Sequence, residues 1–132
     1  MQKILMIDDD RTFLDYIETY IRKSFPALEF KTCRDPFCGL AAINPDLSLL
    51  LLDLEMPGLD GSKLLAYAVK KGVQRHRIVI LSNRDSEYLH KQFPMGSCLA
   101  VLNKHDLQQK AVLEMIFRSL QKKCSAQKSA ES

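Results

Sequence analysis

Two hydrophobic periods take turns along this chain. Short apolar runs at residues 3–7, 49–52, 77–81 and 98–102 are bounded by turn-forming or charged residues. Runs of that length read as strands buried on both faces. A further segment, 28–33, alternates, with Leu28, Phe30 and Thr32 on one side and Glu29, Lys31 and Cys33 on the other. That is the pattern of an outer strand with one face more exposed. Between the strands the apolar spacing stretches to the helical 3.6 residues. Phe13, Ile17, Tyr20 and Ile21 mark the inward stripe of a helix from Arg11 to about Phe25, with Asp10 as its cap and Pro26 as its stop. Asp35-Pro36 opens a short helix to about Ile43. Ser62–Lys71 turns Leu64, Leu65, Ala68 and Val69 inward and is closed by Gly72. A fourth helix runs from Arg84 to about Phe93. A fifth runs from about Asp106 to Lys123, with Leu113, Ile116, Phe117 and Leu120 inward.

Strict alternation of strands and helices predicts an α/β fold, a parallel sheet with helices on both faces. Five such units fall short of a closed eight-unit barrel. There is no internal repeat, and residues 1–123 read as one domain. The small, polar and charged residues 124–132 are expected to form a disordered tail or the start of a linker.

Composition narrows the function classes. Of 132 residues, 46% are hydrophobic and 27% charged, an ordinary globular balance. The net charge of +3 comes entirely from residues 118–132, where four basic residues meet one acid. The body therefore offers no basic footprint for direct nucleic-acid binding. No apolar run reaches the ~20 residues of a membrane span, and no signal-peptide pattern is present, so a cytoplasmic location is expected. Cys33, Cys38, Cys98 and Cys124 form no CxxC pair and read as core or surface thiols of a reducing compartment. His76, His90 and His105 are scattered, which gives a zinc or haem site no support.

The chemistry stands at the carboxyl ends of the apolar runs. The first ends in Asp8-Asp9, the Leu-rich one in Asp53, the next in Ser82 and the last in Asn103-Lys104. In a parallel sheet these ends share one edge, where open α/β sheets bind their ligands. Clustered carboxylates repel one another and raise their pKa values. A hard divalent cation with oxygen ligands relieves that repulsion. Acids for a metal, a carboxylate nucleophile, an ammonium group and a hydroxyl together describe a phosphoryl-transfer site.

Asp8-Asp9, the stretch Leu52-Asp53-Leu54-Glu55-Met56-Pro57-Gly58-Leu59-Asp60-Gly61, Ile80-Leu81-Ser82 and Lys104 resemble the receiver domain of bacterial two-component response regulators. The resemblance covers about residues 2–122. It implies a flavodoxin-like sheet ordered 2-1-3-4-5. It also implies that Asp53 accepts a phosphoryl group from a histidine kinase or phosphotransfer protein. Mg²⁺ would be held by Asp9, Asp53 and the backbone carbonyl of Glu55, with Asp8 acting through water. Lys104 would pair with the phosphoryl oxygens and Ser82 would donate to them. The implied activity is a switch with self-phosphorylation and slow self-dephosphorylation, not turnover. The altered surface would control an output domain, a partner protein or a homodimer through the fourth helix, fifth strand and fifth helix, including Tyr88, Lys91, Val101 and Gln108.

The chain departs from that pattern at Lys104-His105, where many receivers have Lys-Pro, and at Val101, where a ring is common. A non-proline bond favours trans by ~3 kcal/mol. Val101 has one stiff χ1 and no ring to swing. Arg84 and Glu55, flanking the pocket, are expected to pair across it and restrict the attacking water. Two alternatives remain open: a receiver-like binding module that signals without phosphate, and a phosphatase. Asp8-Asp9-Asp10-Arg11-Thr12 also resembles the first motif of haloacid-dehalogenase-like phosphatases, with Asp8 as nucleophile and Asp10 as general acid. That family's acidic pair after a later strand has no counterpart beyond Lys104.

Overall fold

The structure is a computed structural model that describes residues 2–56, 61–105 and 107–131. The element order is β1 Lys3–Ile7, α1 Arg11–Ser24, β2 Glu29–Cys33, α2 Pro36–Ala42, β3 Leu49–Asp53, α3 Gly61–Lys70, β4 Ile78–Ser82, α4 Ser86–Gln92, β5 Ala100–Asn103 and α5 Leu107–Glu131. A 3₁₀ turn, Arg75–Arg77, leads into β4. The five strands form one parallel sheet ordered β2-β1-β3-β4-β5. β3 and β4 are buried at all five positions, as runs without polar interruption require when helices cover both faces.

The period of two divides the strands between two cores. Ile4, Met6, Leu49, Leu51, Val79 and Leu81 face α1 and α5, where they meet Leu14, Ile17, Ile21, Leu113 and Phe117. Leu5, Ile7, Leu50, Leu52, Ile78 and Ile80 face the other way, against Leu64, Leu65 and Ala68 of α3. Each fully buried Leu or Ile contributes about 1.5–3 kcal/mol relative to exposure. Tyr20, Phe25 and Phe117 close the first core, with ring centroids 5.7–6.4 Å apart.

Aspartates set the starts of three helices by accepting a backbone N–H: Asp10 from Phe13, Asp35 from Phe37 and Asp85 from Tyr88. The fourth helix thus begins at Ser86 and not at Arg84, because Asp85 and not Asn83 supplies the cap. Gly72, after α3, adopts φ +105, the left-handed conformation expected past a helix end. Gly39 brings α2 close to β1, since a Cβ there would lie 2.7 Å from Ile7 Cδ1.

Three details differ from the periodic reading. Leu14 is buried on α1, while Phe13 and Tyr20 are only partly so. Cys33 is buried at the end of β2, packed into the second core, although Glu29 and Lys31 on the same face are exposed. The backbone of α5 continues to Glu131, eight residues past Lys123. Residues 57–60 of the turn after Asp53 lie outside the described residues.

Candidate functional site

The sheet order brings the ends of β1, β3, β4 and β5 side by side, and with them the buried polar residues among those described. Asp8, Asp53, Ser82 and Lys104 are all buried, with exposures of 0%, 3%, 0% and 6%. Buried polar and charged groups persist only with partners: Asp8, Asp53 and Lys104 are partners for one another, while Ser82 bonds to Glu55 and the Arg84 N–H. Lys104 Nζ lies 2.7 Å from Asp8 Oδ2 and 3.6 Å from Asp53 Oδ1, and its ammonium also sits 4.9 Å from the Phe13 ring centroid. Asp9 is exposed, yet one carboxylate oxygen from each of Asp8, Asp9 and Asp53 falls within 4.8 Å of the others.

Backbone amides fix the carboxylates. Asp8 Oδ1 accepts from Asp10 N at 2.9 Å, and Asp53 Oδ1 accepts from Glu55 N at 3.1 Å. The Asp8 N–H itself bonds to the Cys33 carbonyl, so β2 anchors the acidic loop. Burial, then the charge and hydrogen bond of Asp8, push the Asp53 carboxyl up to about 7, against the opposing pull of the Glu55 amide and Lys104. Burial alone would depress Lys104, but its close pairing with the Asp8 carboxylate, with the charges of Asp53 and Asp10, holds its ammonium above the ordinary value.

Two observations bear on a divalent cation. Three carboxylates converge on one point. Asp8 Oδ2 meets Lys104 as an ion pair but has no partner in hydrogen-bond geometry. An all-oxygen, anionic donor set with an under-satisfied buried oxygen fits a hard ion such as Mg²⁺. The Glu55 amide bond to Asp53 keeps that residue's backbone beside the cluster.

The hydroxyl side is organised differently from the expected arrangement. Ser82 Oγ donates to Glu55 Oε1 and accepts from Arg84 N at 2.9 Å. Asn83 N donates to Glu55 Oε2 at 3.0 Å. No ion pair joins Glu55 to Arg84 among the described residues. The Arg84 guanidinium lies over the Tyr88 ring, 4.6 Å from its centroid. The expected Arg84–Glu55 pair is thus replaced, because Ser82 and Asn83 already occupy both Glu55 oxygens and a ring stands ready for the cation. Asn103 braces the same loop: its Nδ2 donates to the Arg84 carbonyl at 2.6 Å and its Oδ1 accepts from His105 N at 2.7 Å. No cis peptide occurs among the described residues, so Lys104–His105 is trans.

Sequence reasoning therefore named the residues that meet at the sheet edge but missed the Glu55–Ser82 contact, the Asn103 brace and the Phe13 ring beside Lys104. Opposite charge was a poor guide to the Glu55 partner. Its position two residues past Asp53, level with the β4 end, was the better signal. On the outer face, Tyr88 and Lys91 are exposed and Val101 is half-buried, while the Gln108 side chain lies outside the described residues. Asp10, the general acid of the phosphatase alternative, is exposed and caps α1, and among the described residues no strand follows Lys104.

The chain belongs to the response regulator receiver domain family, whose sequence profile matches residues 4–117. It is 28% identical over 85 residues to the Arabidopsis thaliana two-component response regulator-like protein APRR1, covering 63% of this chain. It is 40% identical over 63 residues to the glycerol metabolism activator of Pseudomonas putida, covering 46% of this chain. The matched regions span 14% and 28% of those proteins. Among solved structures it resembles the receiver domain of Francisella response regulator 1452, with TM-score 0.73, 22% identity, and 93% and 98% of the two chains covered. It also resembles Vibrio cholerae CheY4, with TM-score 0.72, 18% identity, and coverage of 89% and 98%. A third similarity is to the structure of the P1 domain of CheA3 in complex with CheY6 from R. sphaeroides, with TM-score 0.63, 24% identity, and coverage of 90% and 95%. No helix among the described residues is long and apolar enough to cross a membrane.

Proposed function

We propose that this receiver domain, residues 1–123, is a phosphoacceptor switch in two-component signalling. Asp53 takes a phosphoryl group from a phosphohistidine on a kinase or phosphotransfer protein: the P–N bond breaks as a bond to a carboxylate oxygen of Asp53 forms. The observation that carries this reading is a buried carboxylate flanked by an ammonium 3.6 Å away and by two further carboxylates, at the end of a central strand. Asp8, Asp9, Asp53 and the Glu55 carbonyl are the groups that would hold Mg²⁺. When bound, the ion supplies positive charge that keeps Asp53 ionised and offsets charge on the incoming phosphoryl oxygens. Lys104 adds a second cation from the chain itself. The likeness to a complex of CheY6 with the P1 domain of CheA3 supports a domain of that kind as the partner class here.

A phosphoryl group on Asp53 gives Ser82 and Lys104 a new acceptor. Moving a two-state population from 1:99 to 99:1 needs about 5.5 kcal/mol of differential binding. Two or three charge-assisted hydrogen bonds, at about 1.5–3 kcal/mol each, supply that amount. The rearranged β4–β5 end then alters the outer face of α4, β5 and α5, including Tyr88, Lys91, Val101 and Gln108, toward an output domain, a partner protein or a second copy.

Intact mass before and after incubation with acetyl phosphate and Mg²⁺ tests the proposal. The expected result is one phosphoryl group on the wild-type chain and none on Asp53→Asn. An unmodified wild-type chain, equal labelling of Asp53→Asn, or steady turnover of a phosphomonoester overturns it.

A further inference from the structure

Across the β2–α2 turn, two thiols face each other outside the site just described. Cys33 is the last residue of β2 and is buried, while Cys38 lies in the first turns of α2 and is exposed. Their sulfurs are 3.8 Å apart, with the Cys38 thiol directed at Cys33 Sγ. We propose that Cys33 and Cys38 form a reversible intramolecular disulfide when the protein meets a peroxide, making this turn a site of oxidative modification.

The two sulfurs need to close from 3.8 Å to the ~2.05 Å of a disulfide. β2 cannot give way easily, because Cys33 is paired in register with Ile7 and its carbonyl accepts the Asp8 N–H. The exposed first turn of α2 supplies the movement. The exposed thiol reacts first, since access and thiolate character govern oxidation. Cys38–SH and H₂O₂ give Cys38–SOH and water. The Cys33 sulfur then displaces hydroxide from Cys38. The Cys33 proton leaves with that hydroxide as a second water, and one S–S bond replaces two S–H bonds. Cys33 is buried and Cys38 exposed, so the peroxide meets Cys38 and Cys33 acts as the resolving sulfur. Other thiols compete poorly with a sulfur already in van der Waals contact. The bridge would lie one hydrogen bond from Asp8, through the Cys33 carbonyl.

The experiment uses the full reduced chain, treated with substoichiometric to equimolar hydrogen peroxide, alkylated without reduction and digested with trypsin. Cleavage after Lys31, Arg34 and Lys63 separates the two cysteines, so a bridge joins peptide 32–34 to peptide 35–63. The expected result is a loss of two hydrogens from the intact mass, loss of alkylation at both cysteines, and that linked pair, all reversed by dithiothreitol. Cys38→Ser should abolish the linked pair, and Cys98→Ser should retain it. Alkylatable Cys33 beside an over-oxidised Cys38, or a bridge from Cys38 to a different cysteine, overturns the proposal. Because Cys38 is exposed, its serine variant is expected to fold, and far-UV circular dichroism checks this.

Discussion

Lys104 and Ser82 stand at the ends of neighbouring strands, and each is engaged by a carboxylate other than Asp53. Lys104 is held by Asp8 in a pair whose side chains are 3% and 0% exposed. Ser82 is held by Glu55, which is itself exposed. Breaking a buried pair by removing one partner costs about 3–5 kcal/mol, because the remaining charge has no water to turn to. Losing the Ser82–Glu55 bond costs less, since water can reach the glutamate and what is left unpaired is a neutral O–H donor whose oxygen still accepts from the Arg84 N–H. Solvent access therefore divides the site into a rigid cationic side and a mobile hydroxyl side. An event at Asp53 should redirect Ser82 first and leave Lys104 nearly in place.

The largest effect should come from Asp53 itself. Its folded pKa of about 7 lies above the ordinary 3.8, so the folded chain keeps this proton longer than the unfolded chain does. For an acid raised in this way, the stabilisation is complete below about 4 and is lost as pH climbs to about 7. A shift of that size corresponds to a stability change on the order of 4 kcal/mol. Chemical denaturation of the metal-free wild type and Asp53→Asn from pH 4 to 8 should show the variant pulling ahead as pH rises. Mg²⁺ should recover part of the wild-type loss at pH 8, since a ligand that favours the ionised carboxylates stabilises the folded state. A gap that stays constant with pH would mean that Asp53 ionises without cost and that the buried cluster is better solvated than its geometry implies.

Lys104→Met tests the rigid side. It leaves Asp8 and Asp53 facing each other without a cation, and a loss of about 3 kcal/mol is expected at pH 8. The loss should shrink at pH 5, where Asp53 can take up a proton. A pH-independent loss would point to packing of the lysine stem, against Phe13 among others, as the source.

Glu55→Ala tests the mobile side, with a stability cost of about 1 kcal/mol. A hydroxyl has one proton and cannot donate to Glu55 and to a phosphoryl oxygen together. With the competitor gone, beryllofluoride in the presence of Mg²⁺ should bind about tenfold more tightly, the equivalent of ~1.4 kcal/mol. Glu55→Gln keeps an acceptor for Ser82 and should fall between the two. Unchanged affinity in both variants would show that Ser82 is not the group the ligand recruits.

The unequal hold on these two residues also explains what the sequence disclosed. Elements governed by a single dominant force were legible. Leu49–Leu52 could only be a doubly covered strand, and Asp10 and Asp35 stand where a cap must stand. That Asp8, Asp53, Ser82 and Lys104 stand at one edge followed from parallel strands, but that they are neighbours followed only from the strand order implied by the family resemblance. What escaped was set by competition among near-equal options in space. Glu55 had a cation, a hydroxyl and a backbone amide within reach, and pairing by charge chose the wrong one. Whether Cys33 was a core or a surface thiol stayed open, because the alternation of β2 says nothing of what packs on the end of the strand. The approach of Cys38 depends on a turn whose geometry no periodicity encodes.

Arg84 gives the smallest and sharpest test. Its guanidinium rests on Tyr88 at the surface, a contact worth about 0.5–1 kcal/mol at exposed sites. Its functional bonds are made by the backbone: the N–H to Ser82 and the carbonyl to Asn103. Arg84→Ala keeps both, so it should lower stability by about 0.5 kcal/mol. The lifetime of an aspartyl phosphate should change less than it does in Glu55→Ala, because the side chain turns away from Glu55 and leaves the path of an attacking water as it was. Equal acceleration in the two variants, measured by loss of the phosphoryl mass with time, would mean that Arg84 swings off Tyr88 and covers the pocket once Asp53 is modified. The hydroxyl side would then move as a unit of loop and side chain, and Glu55 would be one of two carboxylate-and-cation restraints on it.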